Sequence, residues 1–328
     1  MAVLVTGGAG YIGSHMVLNL ADAGEEIVVL DNLVTGFDWA IDGRAQFERG
    51  DAGDIELVKQ LIEKYAVSAI IHFAGSIVVP ESVSNPLKYY ANNTATSRNL
   101  IEAAVQGGVK HFIFSSTAAV YGMTGLAPVV ETTPLNPMSP YGRSKLMTEW
   151  MLADVAAAHP MSFGVLRYFN VAGADPGRRS GQSTPFATHL IKVACQTALG
   201  QREKMDIFGT DYDTPDGTCV RDYIHVTDLI AAHALMLTHL RDGGESTTLN
   251  CAYGQGYSVR QVVDMVREVS GVSLRADEGP RRPGDPASIT ATGEKVRSLL
   301  GWKPEHDDLR EIVETAYAWE RHLITRNR

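Results

Sequence analysis

The sequence is short of three things. It has three cysteines in 328 residues, Cys195, Cys219 and Cys251, odd in number and far apart. Such spacing supports neither a disulfide framework nor a zinc site, and it points to a reducing, cytoplasmic setting. No apolar run approaches the roughly 18 residues that mark a membrane span. The first residues enter a strand-like run with no charged leader before an apolar segment. Neither a signal peptide nor a membrane span is expected. Positive charge is scarce too: 29 Lys and Arg stand against 38 Asp and Glu, a net charge of −9. That excess argues against nucleic acid or an anionic membrane as a general partner. An anionic ligand would have to be met by individual arginines. What is abundant is core material: 45% of residues are hydrophobic and 20% charged, the profile of a globular chain.

Short β-rich runs alternate with helical spacing. Residues 2–6 (AVLVT), 26–31 (EIVVLD), 69–75 (AIIHFAG), 111–116 (HFIFSS) and 163–169 (FGVLRYF) read as strands, and residues 11–24 as a helix with a glycine stop. Alternation of this kind predicts a parallel sheet covered on both faces. After residue 170 a Gly-, Pro- and Ser-rich loop breaks the rhythm. A helix over 186–200 follows, then a loop at 208–219. Residues 221–240 read as a strand and helix of the first domain, and 247–253 as one more strand. The expected plan is a nucleotide-binding domain over 1–170 plus about 221–250. A second lobe over about 171–220 plus 251–328 would hold substrate, the chain crossing back once.

The stretch VTGGAGYIGS (5–14) lies between the first strand and the first helix. Gly7 permits a tight turn, Gly10 lets backbone approach a pyrophosphate, and Gly13 permits close helix–strand packing. Asp31 closes the second strand, where a carboxylate can accept from an adenosine ribose and would repel a 2′-phosphate. NAD is therefore expected rather than NADP. The fold class that follows is α/β, a Rossmann-type doubly wound parallel sheet with a smaller mixed α/β lobe. Further on, SPYGRSKLMTEW (139–150) sets Tyr141 and Lys145 four residues apart, on one helix face. A tyrosine titrates near 10, and making it a base at neutral pH requires about 4 kcal/mol. A nearby ammonium and an oxidised nicotinamide both favour the phenolate. Ser115, Ser116 and Thr117 end the preceding strand, and a hydroxyl there can share a proton between substrate and Tyr141.

The G-x-x-G-x-x-G spacing and the Tyr/Lys pair resemble the extended short-chain dehydrogenase/reductase superfamily. Over nearly the whole chain the motifs VTGGAGYIGSH, LDNL, IHFAG, ESVSNPLKYYANN, FSSTAAVYG, SPYGRSKLMTE, LRYFNVAGA, IFGTDYDTPDGTCVRDYIHV and RRPGDP are similar to those of the UDP-glucose (UDP-galactose) 4-epimerases. The resemblance implies an isomerase of galactose metabolism, with tightly held NAD, a UDP-hexose substrate and a homodimer joined through helices within 86–107 and 141–158. It implies Tyr141, Lys145 and Thr117 as the catalytic group. It implies NAD contacts from Tyr11 and Ile12, from Asp31, Asn32, Leu33, Val34, Thr35 and Gly36, and from Asp51 and Ala52. Phe73, Ala74, Gly75, Ser76, Ile77, Asn92, Tyr141, Lys145 and Phe169 complete that set. Substrate contacts are implied at Thr117, Ala118, Ala119, Tyr141, Asn170, His189, Leu190, Asp206, Ile207, Phe208, Arg221, Arg282, Asp285 and Ile289. Arg221 and Arg282 lie in loop-like context and suit a diphosphate.

The chain departs from the family pattern in places. Ile77 stands where many members carry a lysine that holds NAD, His189 where an asparagine is frequent, Ala119 for a common threonine and Thr117 for a serine. Ile289 is implied to border the sugar's C2 substituent. Isoleucine is smaller than tyrosine but β-branched, and it cannot swing aside freely, so UDP-glucose and UDP-galactose are expected as the main pair, with weaker turnover of N-acetylated sugars. Two other readings compete. A nucleotide-sugar 4,6-dehydratase of the same fold needs an added acid/base pair after the active-site Thr, and this chain has Ala118 and Ala119. A non-catalytic NAD-sensing regulator should have lost the tyrosine or lysine, and this chain keeps both.

Overall fold

Every side chain of VLVT at residues 3–6 is buried, as a central strand covered on both faces must be. The computed structural model describes residues 1–184, 187–282 and 285–326. In chain order the strands are β1 (Val3–Thr6), β2 (Ile27–Asp31), β3 (Gln46–Arg49), β4 (Ala69–His72), β5 (His111–Ser115), β6 (Ser162–Tyr168), β7 (Asn170–Ala172), β8 (Met205–Phe208), β9 (Val220–His225), β10 (Thr247–Cys251), β11 (Gly256–Ser258), β12 (Ala276–Gly279) and β13 (Ser288–Ile289).

Seven of them form one sheet in the order β10-β6-β5-β4-β1-β2-β3, and all its pairings are parallel. The two-residue period of a strand sorts its side chains between two cores. Val3, Val5, Val29, Ile71 and Ile113 face one side, with the helices Tyr11–Asp22 and Val226–Arg241. Leu4, Val28, Leu30, Ile70, Phe112 and Phe114 face the other, with Ile55–Tyr65 and Thr96–Gln106. This is the doubly wound α/β sheet that the alternation predicted. β3 was not anticipated: Gln46, Phe47 and Arg49 are exposed, so a short edge strand gives no apolar signal.

The second half departs from expectation in two places. Strand β9, read as part of the first domain, pairs instead with β7, β11 and β13 in a separate mixed sheet. Its opening residues Val220 and Arg221 are only half-buried, unlike those of β1, and the edge position beside β6 goes to β10. The chain also crosses back a second time. Helix Glu294–Leu300 sets Val296, with Trp302 just beyond it, into the first core, where the Trp302 indole donates to the Asp228 carbonyl. A third core lies under helices Leu190–Ala198, Val259–Ser270 and Leu309–Arg326. The helix predicted over 186–200 is observed from Leu190 to Ala198, and its first predicted residue, Phe186, lies outside the described residues. No described helix is long and apolar enough to cross a membrane, and the three cysteines are buried and unpaired.

Candidate active site

The carboxyl ends of the parallel strands converge on one face, and the loops that leave them carry the candidate residues. Leaving β1, Gly7 turns with φ 72°, and a Cβ there would meet the Ala74 backbone nitrogen at 2.7 Å. A Cβ on Gly13 would stand 2.1 Å from the Gly7 carbonyl oxygen, so this glycine lets the helix press onto the turn. On Gly10 the nearest atom would be that same oxygen at 3.2 Å, which leaves the remaining side open. Gly10 is also the N-cap of the first helix and supplies no side-chain cap, so the first amides stay free for an anion. The positive, N-terminal end of this helix is charge-complementary to a diphosphate.

Asp31, buried at the end of β2, accepts from the Ala9 amide at 3.0 Å and the Leu33 amide at 2.8 Å. Each oxygen keeps a lone pair for a further donor. Leu33 has φ 61°, which directs the chain away from the sheet; Asn32, Val34 and Thr35 are exposed beyond it, and Gly36 packs against Ala9. After β3, Asp51 accepts from the Gly53 amide at 2.7 Å, with Ala52 buried. After β4 come Phe73, Ala74, Gly75 and Ser76, all half-buried, and then Ile77, half exposed. The Phe73 ring lies 5.0 Å from that of His233. A π-helical turn, Tyr90–Ala95, brings two asparagines to this loop. Asn92 donates to the Ser76 hydroxyl at 2.8 Å, while buried Asn93 accepts from the Ser76 amide at 2.7 Å and donates to Ser144 at 3.0 Å.

Ser139 caps the next helix by accepting from the Gly142 amide, and Pro140 takes the first position, where its missing N–H costs nothing. Tyr141 therefore sits in the first turn and Lys145 one turn on, both buried. The Lys145 ammonium donates to the Ser115 carbonyl at 3.0 Å and lies 4.7 Å from the centre of the Phe114 ring. Among the described residues one of its three N–H groups has a hydrogen-bond partner, which leaves donors for hydroxyls. Burial pushes Lys145 down to about 8, opposed by the charge of Glu149. Burial raises the Tyr141 phenol, opposed by a hydrogen bond with Thr117. The lysine, directed to the Ser115 carbonyl, does not by itself lower the tyrosine, in keeping with the expectation that two positive charges are required. A second positive charge is needed at the ring. The free amides and the underused ammonium as donors, with the Asp31 carboxylate as acceptor, form the set that a nicotinamide dinucleotide requires, so the residues present fit NAD.

The substrate-side candidates fall into two groups. Thr117, Ala118, Ala119, Phe169 and Ile289 lie close to Tyr141's end of the sheet; Ala118, Phe169 and Ile289 share one small apolar cluster. Asn170, His189 and Leu190 line a pocket together with Tyr11, Gln182, Tyr223 and Trp319. Its walls include neither Tyr141 nor Lys145. Arg221 reaches Asp285 at 3.9 Å and donates to the Pro286 carbonyl at 2.8 Å; Arg282 lies 3.8 Å from the centre of the Phe208 ring. Ile207 is buried, while Asp206 is exposed and paired with Lys204 at 3.3 Å. Pro283 and Gly284 of the RRPGDP motif lie outside the described residues. Glu149, Arg167, Asn93 and Tyr168 were missed by sequence reasoning. Glu149 lies four residues past Lys145, a spacing that alone does not distinguish it from a solvated helix charge.

A parallel sheet, a glycine turn with free helix amides and a buried Tyr/Lys pair define the class. Residues 3–252 match the NAD dependent epimerase/dehydratase family, and the chain belongs to it. The chain is 56% identical to the UDP-glucose 4-epimerase of Azospirillum brasilense over 98% of its own length and 92% of that protein's. Its fold superposes on a crystal structure of UDP-glucose 4-epimerase with TM-score 0.96, 45% identity and 98% of each chain covered. It superposes on the Brucella ovis UDP-glucose 4-epimerase in complex with NAD with TM-score 0.94, 42% identity and 97% of each chain covered.

Proposed function

We propose that the chain interconverts UDP-glucose and UDP-galactose by inverting C4 of the sugar. The observation that carries the reading is buried Tyr141, one helical turn from buried Lys145, beside an open glycine turn. NAD, when bound, supplies the oxidation and re-reduction of C4, and its charge favours the phenolate. Tyr141 would take the O4 proton and return it after the sugar has turned about its diphosphate link. Thr117 would share that proton. Lys145 would direct its free N–H groups to ribose hydroxyls, and Asp31 would accept from the adenosine ribose. Arg221 and Arg282 would flank the diphosphate, with Asn170, His189 and Phe208 on the uridine side. The lobe built on β7, β9, β11 and β13 would thus carry the sugar nucleotide. Ala118 and Ala119 offer no carboxylate for an elimination at C5 and C6.

The homodimer reading rests on an apolar face. Val83, Leu87 and Trp150 are 65%, 77% and 57% exposed on helices Val79–Ser84, Pro86–Tyr89 and Pro140–Ala158, which pack on one another. Such residues are suited to burial against a second copy.

Three outcomes test this. Tyr141→Phe, purified with its cofactor, should bind UDP-sugar and lose roughly 10²–10⁴-fold in turnover; retention of more than about a tenth removes Tyr141 as the base. Ile289→Tyr should depress kcat/KM for UDP-N-acetylglucosamine selectively, because the loss arises at one pocket wall. Equal losses for both sugars would take Ile289 out of specificity. In sedimentation velocity the protein should run as a dimer and Leu87→Asp with Trp150→Asp as a monomer, whereas a monomeric wild type contradicts the dimer.

A further inference from the structure

Beneath the Tyr141–Lys145 pair lies a buried ion pair that the proposed chemistry leaves unused. Glu149 follows Lys145 by four residues, so Tyr141, Lys145 and Glu149 lie along one face of the helix Pro140–Ala158. Arg167, from β6, holds the Glu149 carboxylate with a fork. Its Nε reaches the two oxygens at 3.1 and 3.2 Å, and one terminal nitrogen reaches Oε2 at 2.6 Å. The other terminal nitrogen is directed to the Tyr121 hydroxyl at 3.1 Å. The Ser116 hydroxyl donates to Glu149 as well. Consecutive residues at the end of β5 thus hold the two charges, Ser115 the ammonium through its carbonyl and Ser116 the carboxylate through its hydroxyl.

Glu149 and Arg167 side chains are each 6% exposed. A buried pair is a poor stabiliser beside well-packed apolar residues, so its place under the site asks for another reason. The groups facing Lys145 supply it. From its own helix come Tyr141 and Glu149; from β5, Phe114 and Ser115; from β4, His72; and Asn93 of the π-helical turn meets it across Gly75, while Arg167 and Tyr168 of β6 reach Glu149 and Ser115. Burial and the charge of Lys145 hold His72 neutral, down to about 3. Among these groups Glu149 carries the only negative charge, and it opposes the loss of the Lys145 proton that burial favours.

We infer that Glu149, clamped by Arg167 and Ser116, is a positioning residue: its carboxylate keeps Lys145 charged and directed toward the reacting groups. The inference rests on Tyr141 and Lys145 being the catalytic pair. Arg167 is its partner in this role, because it fixes the carboxylate and turns its own remaining N–H groups away to Tyr121.

The test is the pH dependence of kcat for UDP-galactose, measured on cofactor-loaded protein as purified. In Glu149→Gln the carboxylate's charge is removed while its amide oxygen can still accept from Arg167 and Ser116. Lys145 should then lose its proton at lower pH. The alkaline limb should move down by about one pH unit, kcat at neutral pH should fall, and KM should stay within about twofold of wild type. Glu149→Asp withdraws the carboxylate by one methylene and should move the limb down by a smaller amount, so the question stays answerable if Glu149→Gln does not fold. An alkaline limb at the wild-type position in either folded variant, or an equal loss at every pH, overturns the inference. Tyr141→Phe measured alongside separates the two readings: if it stays active, the catalytic assignment fails, whatever the Glu149 variants do.

Discussion

One buried ammonium organises the carboxyl end of the sheet. Lys145 is 4% exposed and has one hydrogen-bond partner, the Ser115 carbonyl at 3.0 Å. A cation so placed is stable only with charge and dipoles arranged around it. The surrounding structure answers that requirement. β5 ends so that its last carbonyl meets the ammonium. The helix that carries Lys145 begins at a Ser–Pro cap that fixes its rotation, and Glu149 follows one turn later under the grip of Arg167. The unused N–H groups give this arrangement its function, because they are donors held in place before any ligand arrives.

The second dependence is geometric. Gly13 must press against Gly7 and Gly7 against Ala74, so the first helix, the turn after β1 and the loop after β4 are locked together. The Tyr11 hydroxyl donates to the Gly173 carbonyl at 2.7 Å, and the Ser14 and Ser180 hydroxyls share a hydrogen bond at 2.6 Å. Arg179 adds an ion pair to Asp22 at 2.7 Å. The glycine turn is thereby tied to the chain that leads into the second lobe. Trp319 of the last helix packs under Gly181 and shares a core with Leu323 and Trp39, which lies beyond the Asp31 loop. The two sides of the cleft therefore share a fixed frame and do not meet through loops alone.

The central strands could be read from the sequence because each is a short run of valine, isoleucine, leucine and phenylalanine buried on both faces. β3 could not, being polar at the sheet edge. The partnership of β9 could not either, since periodicity says that a segment is a strand and not which sheet it joins. Tyr141 and Lys145 were visible through their spacing, and Asp31 through its place at the end of β2. Glu149 was not, because a glutamate near a helix middle looks like a solvated charge until Arg167, eighteen residues on and on another element, is seen to cover it. Asp206 shows the opposite limit: the motif marks it, while the structure leaves it exposed beside Lys204. The state of Tyr141 lay beyond spacing as well. It depends on burial.

The central claim is that C4 is oxidised and reduced again within one closed site by a cofactor that never leaves. UDP-galactose carrying deuterium at C4 tests it directly, incubated with the purified protein and no added nucleotide. The account predicts UDP-glucose with deuterium still on C4, because the hydrogen removed is the hydrogen returned. Replacement of the label by hydrogen from solvent, or conversion only when nicotinamide dinucleotide is added, would contradict it.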